Sequence, residues 1–197
     1  MITMDDAPGI LLAKSPRGDR QVTLAEHCAD TERAAHLVFR PDGRWSRSWA
    51  RFFRFQDSDR RRFLLNLRVA GLFHDVGKAN EEFQAAVAGK SPGKRQTLRH
   101  EHFSALILAL PDVRAWLRKN PELDADAITA AVLSHHMKAT EHGDEWAWGR
   151  PCTVADHGGA HVRLHLEHPA VREIFTRVQE LAGLSPPPAL PSLPWTE

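Results

Sequence analysis

The chain has 197 residues, 42% hydrophobic and 26% charged, which suits a globular protein with one sizeable core. Its 26 basic and 25 acidic residues leave a net charge of +1, so bulk charge points to no partner and any contact with nucleic acid must come from local clusters. Two cysteines without CxxC spacing give no disulfide framework, the N-terminus lacks a signal-peptide pattern, and no apolar run nears the ~20 residues that cross a bilayer, so a soluble cytoplasmic protein with no membrane contact is expected.

In chain order, Thr23-Leu24-Ala25-Glu26 is a capping box that starts a helix running to about Val38, with His27 on its first turn. Pro41-Asp42-Gly43 ends it. Residues 44–56, "RWSRSWARFFRFQ", are aromatic and basic together and read as a loop or a short helix. Asp57 or Ser58 caps the next helix, "DRRRFLLNLRVAGLFHDV", which Gly77 closes. Asn80 caps a short helix, "EEFQAAVA", stopped by Gly89. A polar loop leads to a helix from about Leu98 to Leu110, and Pro111 separates that from "DVRAWLRKN". Asp124 opens "DADAITAAVLSHHMK", where Ile128, Val132 and His135 share one face at helical spacing. Residues 139–168 read as a long loop with short β-like pieces at most, and a last helix spans about Pro169 to Ala182, ending at Gly183. The expected class is all-α, a folded unit over 1–184 followed by a proline-rich tail or linker over 185–197.

Histidine is over-represented, with 12 copies against no tyrosine, which favours metal binding. Four separate helices each deliver ligand-type residues near an end or on a face: His27, the pair His74-Asp75, His100, and the pair His135-His136. Imidazole and carboxylate suit divalent Mn, Fe, Co, Ni or Zn. Adjacent helical residues point about 100° apart, so a pair can serve two neighbouring ions, and a carboxylate bridges cations where an imidazole rarely does. Asp75 is therefore the natural bridge. Two metals about 4 Å apart can activate water and hold both the attacking and the leaving oxygen of a phosphoester displacement. Each piece alone has a plainer explanation, such as a packed or a surface histidine at 27 or a C-terminal cap at 135–136. The combination is harder to dismiss. His102 lies two residues from His100, faces the other way, and is set aside.

"HDVGKANEEFQ", "RHEHFSA" and "LSHHMKA", preceded by "LAEHCADT", resemble the HD-family phosphohydrolases. More narrowly they are similar to the HD nuclease domain of the CRISPR type I helicase-nuclease, over about residues 22–140. The resemblance implies an HD-domain helical bundle around a (di)metal site that cuts single-stranded DNA. It assigns His27, His74 and Asp75 to one metal, and Asp75, His100, His135 and His136 to the other. It places Lys78 beside the scissile phosphate, where a cation stabilises developing negative charge. The implied cofactor is a pair of divalent transition-metal ions, Mn, Ni, Co or Fe, with Mg as an alternative. The chain departs from the family pattern in having no aspartate on its last helix; Asp144, Asp156 or Glu180 are the candidate substitutes.

Arg51, Arg54, Arg60, Arg61 and Arg62 alternate with Trp45, Trp49, Phe52, Phe53 and Phe55. Guanidinium groups bind phosphates and rings stack bases, so Arg51, Arg54 and Arg61 are candidate contacts to single-stranded DNA, with Lys90, Lys94, Arg95 and Arg99 extending the rim. Dense aromatics also make ordinary core. No GxxxxGK[ST] occurs, so a superfamily 2 helicase would act in cis or in trans, beside a CRISPR RNA-guided surveillance complex, as the resemblance implies. The rival readings are an HD phosphohydrolase acting on nucleotides or cyclic nucleotides, and a non-catalytic HD docking module.

Overall fold

Side-chain caps set several of the helix starts in the computed structural model, which describes residues 9–90, 98–136 and 162–190. The described residues form α1 (Leu24–Phe39), α2 (Arg44–Phe52), α3 (Asp57–Phe73), α4 (Glu81–Val87), α5 (His100–Ala109), α6 (Pro111–Leu117), α7 (Ala125–Ser134) and α8 (Pro169–Ala182). A 3-10 turn, Val76–Lys78, follows α3. Among them the only β pairing is three isolated bridges, so the chain is all-α. Thr23 Oγ1 accepts the Glu26 amide while the Glu26 carboxylate accepts the Thr23 amide, both at 3.3 Å. Asn80 Oδ1 accepts the Phe83 amide at 2.8 Å, and Asp124 Oδ1 accepts that of Ala127 at 2.9 Å. Helix α8 has proline in its first turn and ends at Gly183, whose φ of 60° suits a residue without a Cβ.

Two boundaries differ from expectation. Gln56, rather than Asp57 or Ser58, precedes the first turn of α3, and its amide donates to Asp59 Oδ2 at 3.1 Å. Gly77 does not terminate α3; the helix has already stopped at Phe73.

Helix α3 is the spine, packing against α1, α7 and α8, while α5 packs on α7, α6 and the turn after α3. Its buried Val69, Leu72 and Phe73 meet Leu24 and Cys28 of α1, Ile128 and Val132 of α7, and Ile174 and Phe175 of α8 in one core. The Phe73 and Phe175 rings meet edge to face with centroids 5.0 Å apart. Residues 44–52 are helical, and Trp49 explains why. Its ring lies 4.4 Å from that of Phe63, 5.0 Å from Phe55 and 5.3 Å from Phe39, a small apolar cluster that α2 buries against α1 and α3. After α8, the Ser185 carbonyl accepts Trp116 Nε1–H at 2.7 Å, and Leu184 joins the core.

Candidate metal centre

The geometry begins where α3 ends. His74 keeps helical angles, Asp75 shifts to φ −112° and ψ 8°, and the chain tightens into the 3-10 turn. Ser104 of α5 holds this turn: its hydroxyl accepts the Gly77 amide at 2.8 Å and donates to the His74 carbonyl at 3.0 Å. Gly77 serves that approach. A Cβ there would lie 2.8 Å from the Phe103 Cβ, and nearer still to the His100 carbonyl and the Ser104 amide. The HD pair is thereby pressed against the first turn of α5, which carries His100. His27 arrives from the first turn of α1, and His135 and His136 from the end of α7.

Four imidazoles converge on one buried carboxylate, and a fifth, that of His136, joins through His100. Asp75 Oδ2 lies 2.9 Å from His27 Nε2 and 3.1 Å from His74 Nε2. Its Oδ1 lies 3.0 Å from His100 Nε2 and 3.4 Å from His135 Nε2. His136 Nε2 is 3.1 Å from His100 Nε2, and His27 Nε2 is 3.3 Å from His74 Nε2. Two donor groups result, each with its donor atoms within 4.8 Å of one another: His27, His74 and Asp75, and then Asp75, His100, His135 and His136. Asp75 is common to both.

The donors fit divalent cations in kind and in orientation. His74 Nδ1 donates to the Gly71 carbonyl at 2.8 Å and His135 Nδ1 to that of Val132 at 2.6 Å, which leaves both Nε2 lone pairs facing Asp75. Asp75 Oδ1 and His135 Nε2 are buried without a well-directed hydrogen bond despite their proximity. Electron-rich atoms turned toward one another at such distances are reconciled by a positive charge between them, a proton or a metal cation. Burial alone would favour the neutral Asp75 acid, but contacts with His100, His135, His27 and His74 outweigh it and hold the carboxyl far below its usual range. The same carboxylate and the Val132 carbonyl raise His135 against the burial that lowers it. Burial, then the neighbouring His135 and His100, lower His136.

Lys78 supplies the nearest positive charge. Its Nζ donates to Asp75 Oδ2 at 2.6 Å and to the Ala13 carbonyl at 3.1 Å, and its side chain is 12% exposed. It is a counter-ion to the buried aspartate before it is anything else.

Other expected residues fall elsewhere. Glu180 is exposed on α8 and belongs to neither donor group; Asp144, Asp156, Lys94 and Arg95 lie outside the described residues. Arg51, Arg54 and Arg61 are exposed around α2 and the start of α3, outside both groups, and Arg54 adopts the left-handed φ of 56°. Beside them a cleft of about 490 Å³ is lined by Arg44, Arg47, Arg51, Phe55, Asp57 and Arg60. Trp45 and Phe52 are 61% and 79% exposed, so not every aromatic of this stretch is spent on packing. Arg99 is exposed, with its Nε on the buried Glu101 carboxylate.

Sequence reasoning gave no role to Ser104, Gln84 or Glu101. Gln84 is buried and holds three backbone groups: the Leu12 amide at 2.9 Å, the Leu12 carbonyl at 3.0 Å and the Lys78 carbonyl at 2.8 Å. It thereby fixes both the lysine and the Ala13 segment that receives it. No local pattern signals such contacts, because their partners lie up to 72 positions away.

A family model described as "Cas3, HD domain" matches residues 12–194. The chain is 31% identical over 185 residues to a Myxococcus xanthus protein named "Putative CRISPR-associated nuclease/helicase Cas3", covering 90% of this chain and 23% of that protein. It is 40% identical over 76 residues to a Pectobacterium atrosepticum protein named "CRISPR-associated nuclease/helicase Cas3 subtype I-F/YPEST", covering 36% of this chain and 7% of that one. The chain thus spans less than a quarter of the length of either relative. No solved structure matches it.

Proposed function

The chain belongs to the family of Cas3 HD domains, and on that premise we propose that it is a metal-dependent nuclease that degrades single-stranded DNA in CRISPR interference. The observation that carries the reading is one buried aspartate common to two histidine-rich donor groups. His27, His74 and Asp75 would hold one divalent ion, and Asp75, His100, His135 and His136 would hold the second. Ions bound there supply the Lewis acidity and water activation that phosphodiester hydrolysis needs.

The chain's own residues do the rest. Asp75 remains ionised and bridges the two donor groups. The backbone acceptors of His74 and His135 keep their Nε2 atoms turned inward. Lys78 holds a positive charge at the edge of the centre, where it can pass from Asp75 to a phosphate oxygen as negative charge develops. Arg51, Arg54 and Arg61, with exposed Trp45 and Phe52, contact the strand by phosphate pairing and base stacking, and Arg99 adds to the rim. A superfamily 2 helicase, in cis or in trans, feeds the strand, with a CRISPR RNA-guided surveillance complex as a further partner.

The test is hydrolysis of circular single-stranded DNA by purified protein with Mn, Ni, Co or Mg, beside Asp75→Ala. Metal-dependent degradation that Asp75→Ala loses is expected. Cleavage confined to nucleotides would replace this reading with a nucleotide phosphohydrolase, and no turnover with any metal would leave a docking module.

A further inference from the structure

Two histidines of the centre have an obvious device for holding their rings, a backbone carbonyl three residues back, and His100 does not. As the first residue of α5 it has no preceding helical turn to offer one. The residue beside it is unusual. Glu101 is a carboxylate only 5% exposed, with one oxygen engaged by Arg99 Nε and the other, Oε2, buried without a hydrogen-bond partner among the described residues. That free oxygen lies 3.5 Å from His100 Nδ1, on the far side of the ring from the Nε2 that faces Asp75 Oδ1 at 3.0 Å.

A buried carboxylate oxygen without a donor is costly unless something completes it. Among the described residues, the His100 ring lies within ion-pair distance of it. We propose that Glu101 is a positioning residue for the second donor group: its Oε2 takes the Nδ1–H of His100, which fixes the tautomer and directs the Nε2 lone pair at the cation shared with Asp75, His135 and His136. Arg99 holds the opposite oxygen and so sets the angle of the carboxylate. Glu101 then does for His100 what the Gly71 and Val132 carbonyls do for His74 and His135, and as an anion it also makes the ring a stronger donor. This inference rests on the metal reading above and adds a residue to it.

The test compares wild type and Glu101→Gln by calorimetric titration with Mn2+, and by the ring N–H signals of 15N-labelled protein loaded with Zn2+. Glu101→Gln should weaken one bound ion about 10–100-fold, the usual effect of losing such a partner, and leave the ion held by His27 and His74 unchanged. In the wild-type spectrum the His100 Nδ1–H should be shifted downfield and slow to exchange, and the substitution should move it upfield. Equal Mn2+ affinities in the two proteins would overturn the inference while leaving the metal centre standing. Should Glu101→Gln not fold, the wild-type spectrum decides: a His100 Nδ1–H that exchanges as freely as that of exposed His136 overturns it. A wild type that takes up neither ion would remove the metal reading itself, and this inference with it.

Discussion

At Lys78 a single ammonium stands in for charge that the centre otherwise lacks. It is 2.6 Å from Asp75 Oδ2, and the aspartate is only 2% exposed. Removing one member of a buried ion pair leaves the other uncompensated, at a cost of about 3–5 kcal/mol. Lys78→Met, which keeps most of the stem, should therefore lose about 3 kcal/mol of stability in urea titrations run with EDTA. Repeating the titrations with saturating Mn2+ should recover most of that loss, because a divalent ion returns the missing charge. A loss that Mn2+ does not touch would mean that Lys78 serves packing alone. Gly77 is the other sensitive position. Since a Cβ there would run into the backbone of α5, Gly77→Ala should destabilise by the upper end of the ~1–3 kcal/mol typical of overpacking, read as a lower urea midpoint.

Helix α1 shows how an element's own ending reaches the chemistry. Its capping box, Thr23 with Glu26, lies just before His27 on the same first turn. Thr23→Ala should cost about 1 kcal/mol, and it should weaken Mn2+ binding to the His27 group more than to the His100 group, because fraying begins at the former. On the segment leading to α8, the amide of His165 donates to the Ala79 carbonyl at 2.7 Å and its side chain is buried. Burial first, then Arg163, lowers its pKa, with Glu81 opposing and His168 assisting. The folded state thus resists a proton that the unfolded chain accepts near pH 6.5, so this residue's contribution to stability is lost as pH falls through that value. In chemical denaturation, the stability of wild type relative to His165→Gln should decline between pH 7.5 and 5.5. Elements with explicit caps at Thr23, Asn80, Asp124 and Gly183 were legible in the sequence, because a cap is a local bargain between neighbours. The end of α3 was not. Gly77 looked like a stop signal, whereas its missing Cβ answers to α5, some 27 residues further on.

For the molecule as a whole, the ligand types and their grouping about Asp75 could be read from residue chemistry and family likeness. Their support could not. Glu101 and Gln84 stand in the family-like segments "RHEHFSA" and "HDVGKANEEFQ", yet neither segment tells what those side chains hold. The donors come from α1, the turn after α3, the start of α5 and the end of α7, so the two donor groups, joined at Asp75, together tie four elements. An ion that binds only the folded protein stabilises it by about 2.7 kcal/mol at a hundredfold excess over Kd. Mn2+ should therefore raise Tm, EDTA should reverse the rise, and Asp75→Ala should show none.

The spacing of those donors along the chain has a consequence for the cell that makes the protein. His27 must meet His74 across 47 positions, His100 must find His136 across 36, and Leu12 is clasped by a side chain 72 residues later. On a translating ribosome no short early stretch holds a complete set of ligands, and a proteolytic cut between them divides the set. The donor set of the proposed nuclease is thereby incomplete in a nascent chain or a fragment, and it is assembled only once the entire fold has closed.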